Sequence, residues 1–250
     1  MKTQRTVKLF AHGLAKQRVS VIIPLYNYER YIVAAMASVA AQTYRDVALI
    51  VVDDCSSDQS TELVKKWMMD NRDCGLGLGL WRNKRNARLA VTRNTGVQLF
   101  ASEFCFFLDA DNLLYPRCIE AHVTALDNKA DADAAYGLIE VFGARSDVIG
   151  NKLFDKASLK FGNYIDAMSM IRRSTLDRLS GFEHINYGWE DYDFWLRLCE
   201  SGGYAVHIPE ILSRYREHSN SMLRTLTNLP DHIRHLHRDM TRRHPWLQLS

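Results

Sequence analysis

From Val19 onward the chain alternates short β-branched runs with helix-length amphipathic segments. That alternation confines it to an α/β fold, a mostly parallel sheet with helices on both faces. The predicted strands are Val19–Pro24, Val47–Val52, a weaker one at Leu78–Trp81, and Phe104–Leu108. The predicted helices are Glu29–Ala41, Ser60–Asp70, Arg88–Ala101 and Pro116–Asn128, the last opening on a proline suited to a first helical turn. After Ala134 the pattern changes to a strand-like Tyr136–Phe142, a polar loop from Gly143 to Gly162, an apolar Tyr164–Ile171, and a helix over Trp189–Glu200. A length of 250 residues with 47% hydrophobic content suits one large domain. Its expected span is residues 19–222, with a first half at 19–128 and a second at 129–222, after a loosely packed extension at 1–18 and before a basic helical tail at 223–250.

Thirty-two Lys and Arg against 29 Asp and Glu leave a net charge of +3, which gives no basis for a nucleic-acid partner. The cations cluster only at the C-terminus, where Arg234, His235, His237, Arg238, Arg242, Arg243 and His244 accompany Ile233, Leu236 and Met240 at helical spacing. A docking helix is the preferred reading, with a homodimer contact or an anionic membrane surface as further uses of the same basic face. No stretch approaches the roughly 20 apolar residues that span a bilayer, and MKTQRTVKLFAHG has too short an apolar core for a secretory signal. The expectation is a soluble cytoplasmic protein, peripheral at the inner face of the membrane if the tail binds lipid. Cys55, Cys74, Cys105, Cys118 and Cys199 are scattered and odd in number, which favours reduced thiols over a disulfide framework or a zinc site.

In open parallel sheets, ligands bind beyond the carboxyl ends of the strands. Three clusters fall there and are expected to face one cleft: Pro24 to Asn27, Asp53 to Asp58, and Asp109 to Asn112. Neither GxGxxG nor a Walker loop is present, so a phosphate ligand has no glycine cradle and needs another source of positive charge. Asp109 and Asp111, at i and i+2 of an expected extended segment, would point the same way and offer hard oxygens to Mn2+ or Mg2+, with phosphate and water completing the shell. Turn-capping aspartates are the plain alternative. Asp53 and Asp54 can be helix caps, although Asp58 is better placed for that. One of the pair can instead accept the N3 proton of a uracil.

Six segments in order, VSVIIPLYN, ASVAAQTYRDVALIVVDDCSSD, TRNTGV, FFLDADN, LSGFEHINYGWEDYDFWLRLCESG and YREHSNS, span most of Val19 to Met222. Together they resemble the GT-A glycosyltransferases of family 2, which include many bacterial polysaccharide and cell-wall enzymes. The resemblance implies a nucleotide in the first half, with Pro24 and Tyr26 against the base, Asp54 and Asp53 on its polar edge, and Arg93 nearby. It implies that Asp111 binds the metal, that Asp109 lies close to sugar or ribose, that His218 adds a metal ligand and that Arg216 contacts phosphate. WED resembles the acceptor-side motif, with Asp191 as catalytic base and Glu190 as second choice, because neighbours on a helix diverge by about 100°. Helix N-termini also favour carboxylates for dipole reasons alone. Tyr187 and Trp189 offer stacking faces to an acceptor sugar, or belong to the core. Two positions depart from the family pattern: Cys55 stands where glycine is frequent, and Asn112, where aspartate is frequent, lowers the negative charge beside the metal.

The implied activity is an inverting hexosyl- or N-acetylhexosaminyltransferase, moving sugar from a nucleoside-diphosphate donor to a glycan or lipid-linked sugar in polysaccharide, lipopolysaccharide or cell-wall synthesis. UDP is the favoured nucleotide; thymine offers the same edge, and guanine stays open. A nucleotidyltransferase would want a glycine-rich basic loop where PLYNYERY stands. A non-catalytic nucleotide-sugar or glycan-binding module would have no use for Asp111 and Asp191.

Overall fold

Every residue of Val19–Leu25 and Val47–Asp53 is buried, as strands covered on both faces require. In a computed structural model, which describes residues 1–219 and 221–249, the elements run in this order: β1 Thr6–His12, β2 Val19–Leu25, α1 Ile32–Ala40, β3 Val47–Asp53, α2 Ser60–Asp70, β4 Gly77–Asn83, α3 Leu89–Leu99, β5 Phe104–Phe107, β6 Leu113–Leu114, α4 Cys118–Asn128, β7 Ala134–Gly143, β8 Asp147–Ile149, α5 Lys156–Leu159, β9 Met170–Arg172, α6 Arg173–Arg178, α7 Glu190–Glu200, β10 Ala205–Glu217, a π-helical turn Leu223–Thr227, and α8 Pro230–Arg243. The parallel centre has the order β4-β3-β2-β5. It continues through antiparallel β9 to β7, which pairs in parallel with β10, and β6 closes that edge. The expected α/β class and central parallel sheet are both present.

Helices cover both faces. On one, α1, α2 and α4 share a core with Val21, Ile23, Leu49 and Val51; on the other, α3, α7 and α8 share one with Ile22, Ile50, Val52 and Phe107, α3 lying directly on β2 and β3. Close approach of α3 depends on Gly96, where a Cβ would lie 2.4 Å from Ile22 Cγ2. Pro24 is tolerated in a central strand because the β5 ladder ends at Ile22↔Phe107, so its missing N–H breaks no pairing on that side.

The expected loose extension at 1–18 is corrected. Residues 6–12 form an edge strand, antiparallel to β4 from Thr6↔Asn83 to His12↔Leu78. An edge strand facing water on one side keeps a mixed polar sequence, and so reads as loop. The polar loop from 143 to 162 contains β8 and α5, and only the end of Tyr164–Ile171 is strand. Among the described residues no helix is long and apolar enough to cross a membrane, and the five cysteines are free.

The C-terminal tail docks on its own domain. Leu236 and Met240 are fully buried, and α8 ends against Asp193 of α7. The wholly buried Asp193 receives Arg197 Nε at 2.7 Å, Arg243 Nε at 2.9 Å and His244 Nε2 at 3.2 Å. Burial opposes its charge, yet His244 and the two guanidiniums together lower its pKa to about 2. A depressed carboxylate stabilises the fold above its ordinary pKa of 3.8, and that contribution fades as pH falls toward 2. Asp193→Ala leaves Arg197, Arg243 and the buried His244 without their shared carboxylate, and the expected cost is about 3 kcal/mol. Thermal unfolding at neutral pH should show Tm lower by roughly 6–12 °C; an unchanged Tm would mean that α8 is held by its apolar face alone.

Candidate active site

The carboxyl ends of β2, β3 and β5 open into one cleft of about 940 Å³, lined by Pro24, Tyr26, Asp54, Arg93, Asp109, Asp111, Trp189, Glu190, Asp191 and His218 among others. The three strand-end clusters therefore meet, as the topology required.

At the end of β3 the two aspartates part company. Asp54 lines the cleft and accepts Asn83 Nδ2 at 2.6 Å, Ala87 N at 2.8 Å and Arg88 N at 2.9 Å, which fixes the loop entering α3. Burial raises its pKa against those hydrogen bonds. Asp53, expected at the base edge, does not line the cleft. Fully buried, it accepts Ser56 N at 3.0 Å, Thr61 Oγ1 at 2.9 Å and Arg82 Nη1 at 2.5 Å, because successive side chains on a strand point to opposite sides. Asp58, one residue before the N-cap Gln59 of α2, accepts Ser60 N at 3.0 Å and Glu29 N at 3.1 Å.

The segment 109–112 is a turn, not an extended run: Asn112 N donates to Asp109 O at 3.0 Å. The two carboxylates consequently have separate partners. Asp111 Oδ2 lies 3.1 Å from His218 Nε2, whose ring sits among Tyr28 and Tyr31 at centroid distances of 6.2 and 5.0 Å. Burial and then the Asp109 charge raise the Asp111 pKa, against the pull of His218. Among the described residues no three His, Cys, Asp or Glu side chains gather to hold an ion unaided. One hard oxygen and one imidazole side by side are the donor types that would suit a divalent ion, were phosphate and water to fill its other positions. Arg216 does not line the cleft. Its N donates to Asn112 Oδ1 at 2.8 Å and its Nε to the Asp111 carbonyl at 2.9 Å, while the guanidinium lies over the Tyr31 and Phe142 rings, so it buttresses the turn. Asn112 Nδ2 is buried without a partner.

Arg93 joins the two halves. From α3, 2% exposed, it donates Nη2 to Asp109 at 2.8 Å and Nη1 to Glu190 at 2.9 Å. Burial disfavours its charge, but Asp109 and Glu190 outweigh this and raise its pKa. Glu190 is thereby occupied. Asp191, at the start of α7, instead accepts Asn163 Nδ2 at 3.0 Å and its neighbour Tyr192 N at 2.8 Å. Desolvation in the cleft, then Glu190 and Asp166, push its pKa up to about 7.

Tyr187 and Trp189 separate as well. Both have positive φ, 75° and 68°, around Gly188 at 118°, a strained turn held by Thr227 Oγ1 donating to Tyr187 O at 2.7 Å. Trp189 lines the cleft. Tyr187 does not; its ring stacks on His232 of α8 at 3.8 Å and 8°, so it serves the docked tail rather than an acceptor. Two cleft residues escaped the sequence reading. Asp166, its pKa raised to about 6 by burial and Asp109, was concealed in the apolar run YIDAMSMI; Arg88 read as the first residue of the helix Arg88–Ala101, whereas it stands at φ 74° just before α3.

A family model for glycosyl transferase family 2 matches residues 20–180. The chain belongs to that family and is a glycosyltransferase of GT-A fold. WfgD of Escherichia coli, named a UDP-Glc:alpha-D-GlcNAc-diphosphoundecaprenol beta-1,3-glucosyltransferase, is 28% identical over 214 residues, covering 82% of this chain and 79% of WfgD. Staphylococcus aureus TarS in complex with UDP-GlcNAc superposes with TM-score 0.70 at 19% identity, over 83% of this chain and 61% of that one. The mannosyltransferase of Pyrobaculum calidifontis in complex with GDP-Man and Mn2+ gives TM-score 0.62 at 21% identity, over 82% and 59%. This chain thus spans about three fifths of either solved chain.

Proposed function

We propose that this enzyme transfers a hexosyl or N-acetylhexosaminyl group from a UDP-sugar to an acceptor hydroxyl, with inversion, by metal-assisted single displacement in glycan synthesis. The observation that carries this reading is Arg93, which ties the Asp109–Asn112 turn to the Glu190–Asp191 helix start across one cleft. Residues 19–128 act as the nucleotide half, 129–222 as the acceptor half and 223–250 as a docked tail. Pro24 and Tyr26 pack on the base, and Asp54 meets its N3 edge. The TarS complex with UDP-GlcNAc and the name of WfgD support uracil.

Asp111 and His218 would hold Mn2+ or Mg2+, which when bound would neutralise charge growing on the departing diphosphate. A Mn2+ complex of a neighbour of the same fold supports that choice. Arg88, lining the cleft, is the cation placed for the diphosphate now that Arg216 is engaged elsewhere. Asp191 takes the proton of the acceptor hydroxyl, whose oxygen attacks the anomeric carbon as the nucleoside diphosphate leaves from the opposite face. A pKa near ambient pH suits a general base. Trp189 offers its face to the acceptor, a glycan or a lipid-linked sugar. In this reading the enzyme works in the cytoplasm, at the inner face of the membrane.

The test is donor hydrolysis: UDP-, dTDP- and GDP-sugars with Mn2+ or Mg2+, reading released nucleoside diphosphate. Metal-dependent release from a UDP-sugar is the expected result, with kcat/KM rising with pH to a plateau above about pH 7 as Asp191 ionises. Release only from a GDP-sugar would overturn the donor assignment. No release and no UDP binding would overturn the site.

A further inference from the structure

Between β8 and the cleft residue Asn163 the chain makes an excursion over residues 150–162. Its two flanking residues, Ile149 and Asn163, both line the cleft. Its backbone is pinned. Tyr136 Oη donates to Lys152 O at 2.6 Å, Tyr164 Oη donates to Leu153 O at 2.7 Å, and Gln248 N donates to Lys160 O at 2.9 Å. Leu159 is buried and Phe154 packs inward against the core, so the segment has satisfied its own demand for burial. Yet Leu153 is 72% exposed and Phe161 64%, above the other large apolar side chains that stand exposed among the described residues. Lys152, Lys156 and Lys160 share this short segment with one acid, Asp155, whose carboxylate accepts Ser158 N at 2.9 Å.

We propose that this excursion is the membrane-facing element of the enzyme, seating Leu153 and Phe161 in the headgroup boundary of an anionic bilayer with the three lysines against its phosphates. Apolar side chains flanked by lysine suit that boundary. Lysine is depleted at protein–protein interfaces, which argues against a protein partner here. Trp246, beneath Lys156 at 4.9 Å, lends the same site an amphipathic ring. Contact here would turn the acceptor side of the cleft toward the lipid surface. That consequence rests on the proposed function, whereas the contact itself does not. The exposed arginines of α8, Arg234, Arg238 and Arg242, are the competing basic face; Arg234 and Arg242 pair with Asp231 and Asp239, and no large apolar residue joins them in their groove.

The experiment is co-sedimentation with phosphatidylcholine vesicles, with and without phosphatidylglycerol. It compares wild type, Leu153→Ser with Phe161→Ser, Lys152→Ala with Lys156→Ala and Lys160→Ala, and Arg234→Ala with Arg238→Ala and Arg242→Ala. Thermal unfolding and UDP–Mn2+ calorimetry on each variant keep a folding defect, or failure of the nucleotide site, separate from loss of lipid binding. Wild type should pellet with anionic vesicles only. The serine pair should bind at least about tenfold more weakly, and the lysine triple roughly a hundredfold, at about fivefold per lysine; the arginine triple should stay close to wild type. No preference for anionic vesicles, binding retained by both segment variants, or loss confined to the arginine triple would overturn the proposal. So would a dimer in light scattering that the serine pair abolishes while vesicles are ignored.

Discussion

Asp191→Asn is expected to lower kcat by at least about a hundredfold, the scale of general-base catalysis, while UDP still binds with Mn2+. The same change should raise Tm. In the fold, burial and the Glu190 and Asp166 charges lift the Asp191 pKa from 3.8 to about 7, so ionisation is resisted there more than in the unfolded chain. Between those values a raised acid loses stability as pH rises, and at neutral pH most of that cost is present. Discounted for partial exposure, it amounts to about 1–2 kcal/mol, which a neutral amide removes. Glu190→Gln should behave oppositely, since it deprives Arg93 of a charged partner at 2.9 Å and so lowers Tm. Single-turnover kinetics and thermal unfolding on the two variants distinguish the roles. An Asp191→Asn enzyme with wild-type turnover would remove the base assignment.

Arg93→Met should be the most damaging single change in the cleft. It leaves the nearly buried Glu190, and Asp109, without their shared cation, and breaking such a pair costs about 3–5 kcal/mol. For a domain of this size the expected fall in Tm is roughly 6–20 °C. Turnover should drop with it, because one guanidinium fixes the Asp111 turn relative to Asp191. Arg93→Lys should not rescue: a single ammonium lacks the planar fork that reaches both carboxylates. Full activity in Arg93→Lys would show that either carboxylate holds its place alone.

Much of this was legible in the sequence, for physical reasons. Fully buried parallel strands such as Val47–Asp53 demand unbroken apolar runs, so the strand ends that carry the Asp53–Asp54 and Asp109–Asp111 pairs could be read from them, whereas Asp191 was pointed to by the family resemblance of WED. What failed depended on contacts across the chain. Asp53 and Asp54 are neighbours of the same chemistry, and only strand phase sends one to Thr61 and Arg82 and the other to the cleft. The Asp109–Asn112 turn is imposed by β10, through Arg216 on Asn112 and on the Asp111 carbonyl. Tyr187 was taken by His232, 45 residues later in the chain. The strand at Thr6–His12 exists because β4 offers an unpaired edge, a fact no local window contains.

The most direct test of the central claim is calorimetric titration of UDP into the enzyme with and without Mn2+, on wild type, Asp111→Ala and His218→Ala. UDP should bind wild type at least about tenfold more tightly with Mn2+ than with chelator, and both variants should lose that difference. Equal affinity with and without metal, or an unaltered metal effect in Asp111→Ala, would contradict an ion held between Asp111, His218 and the diphosphate.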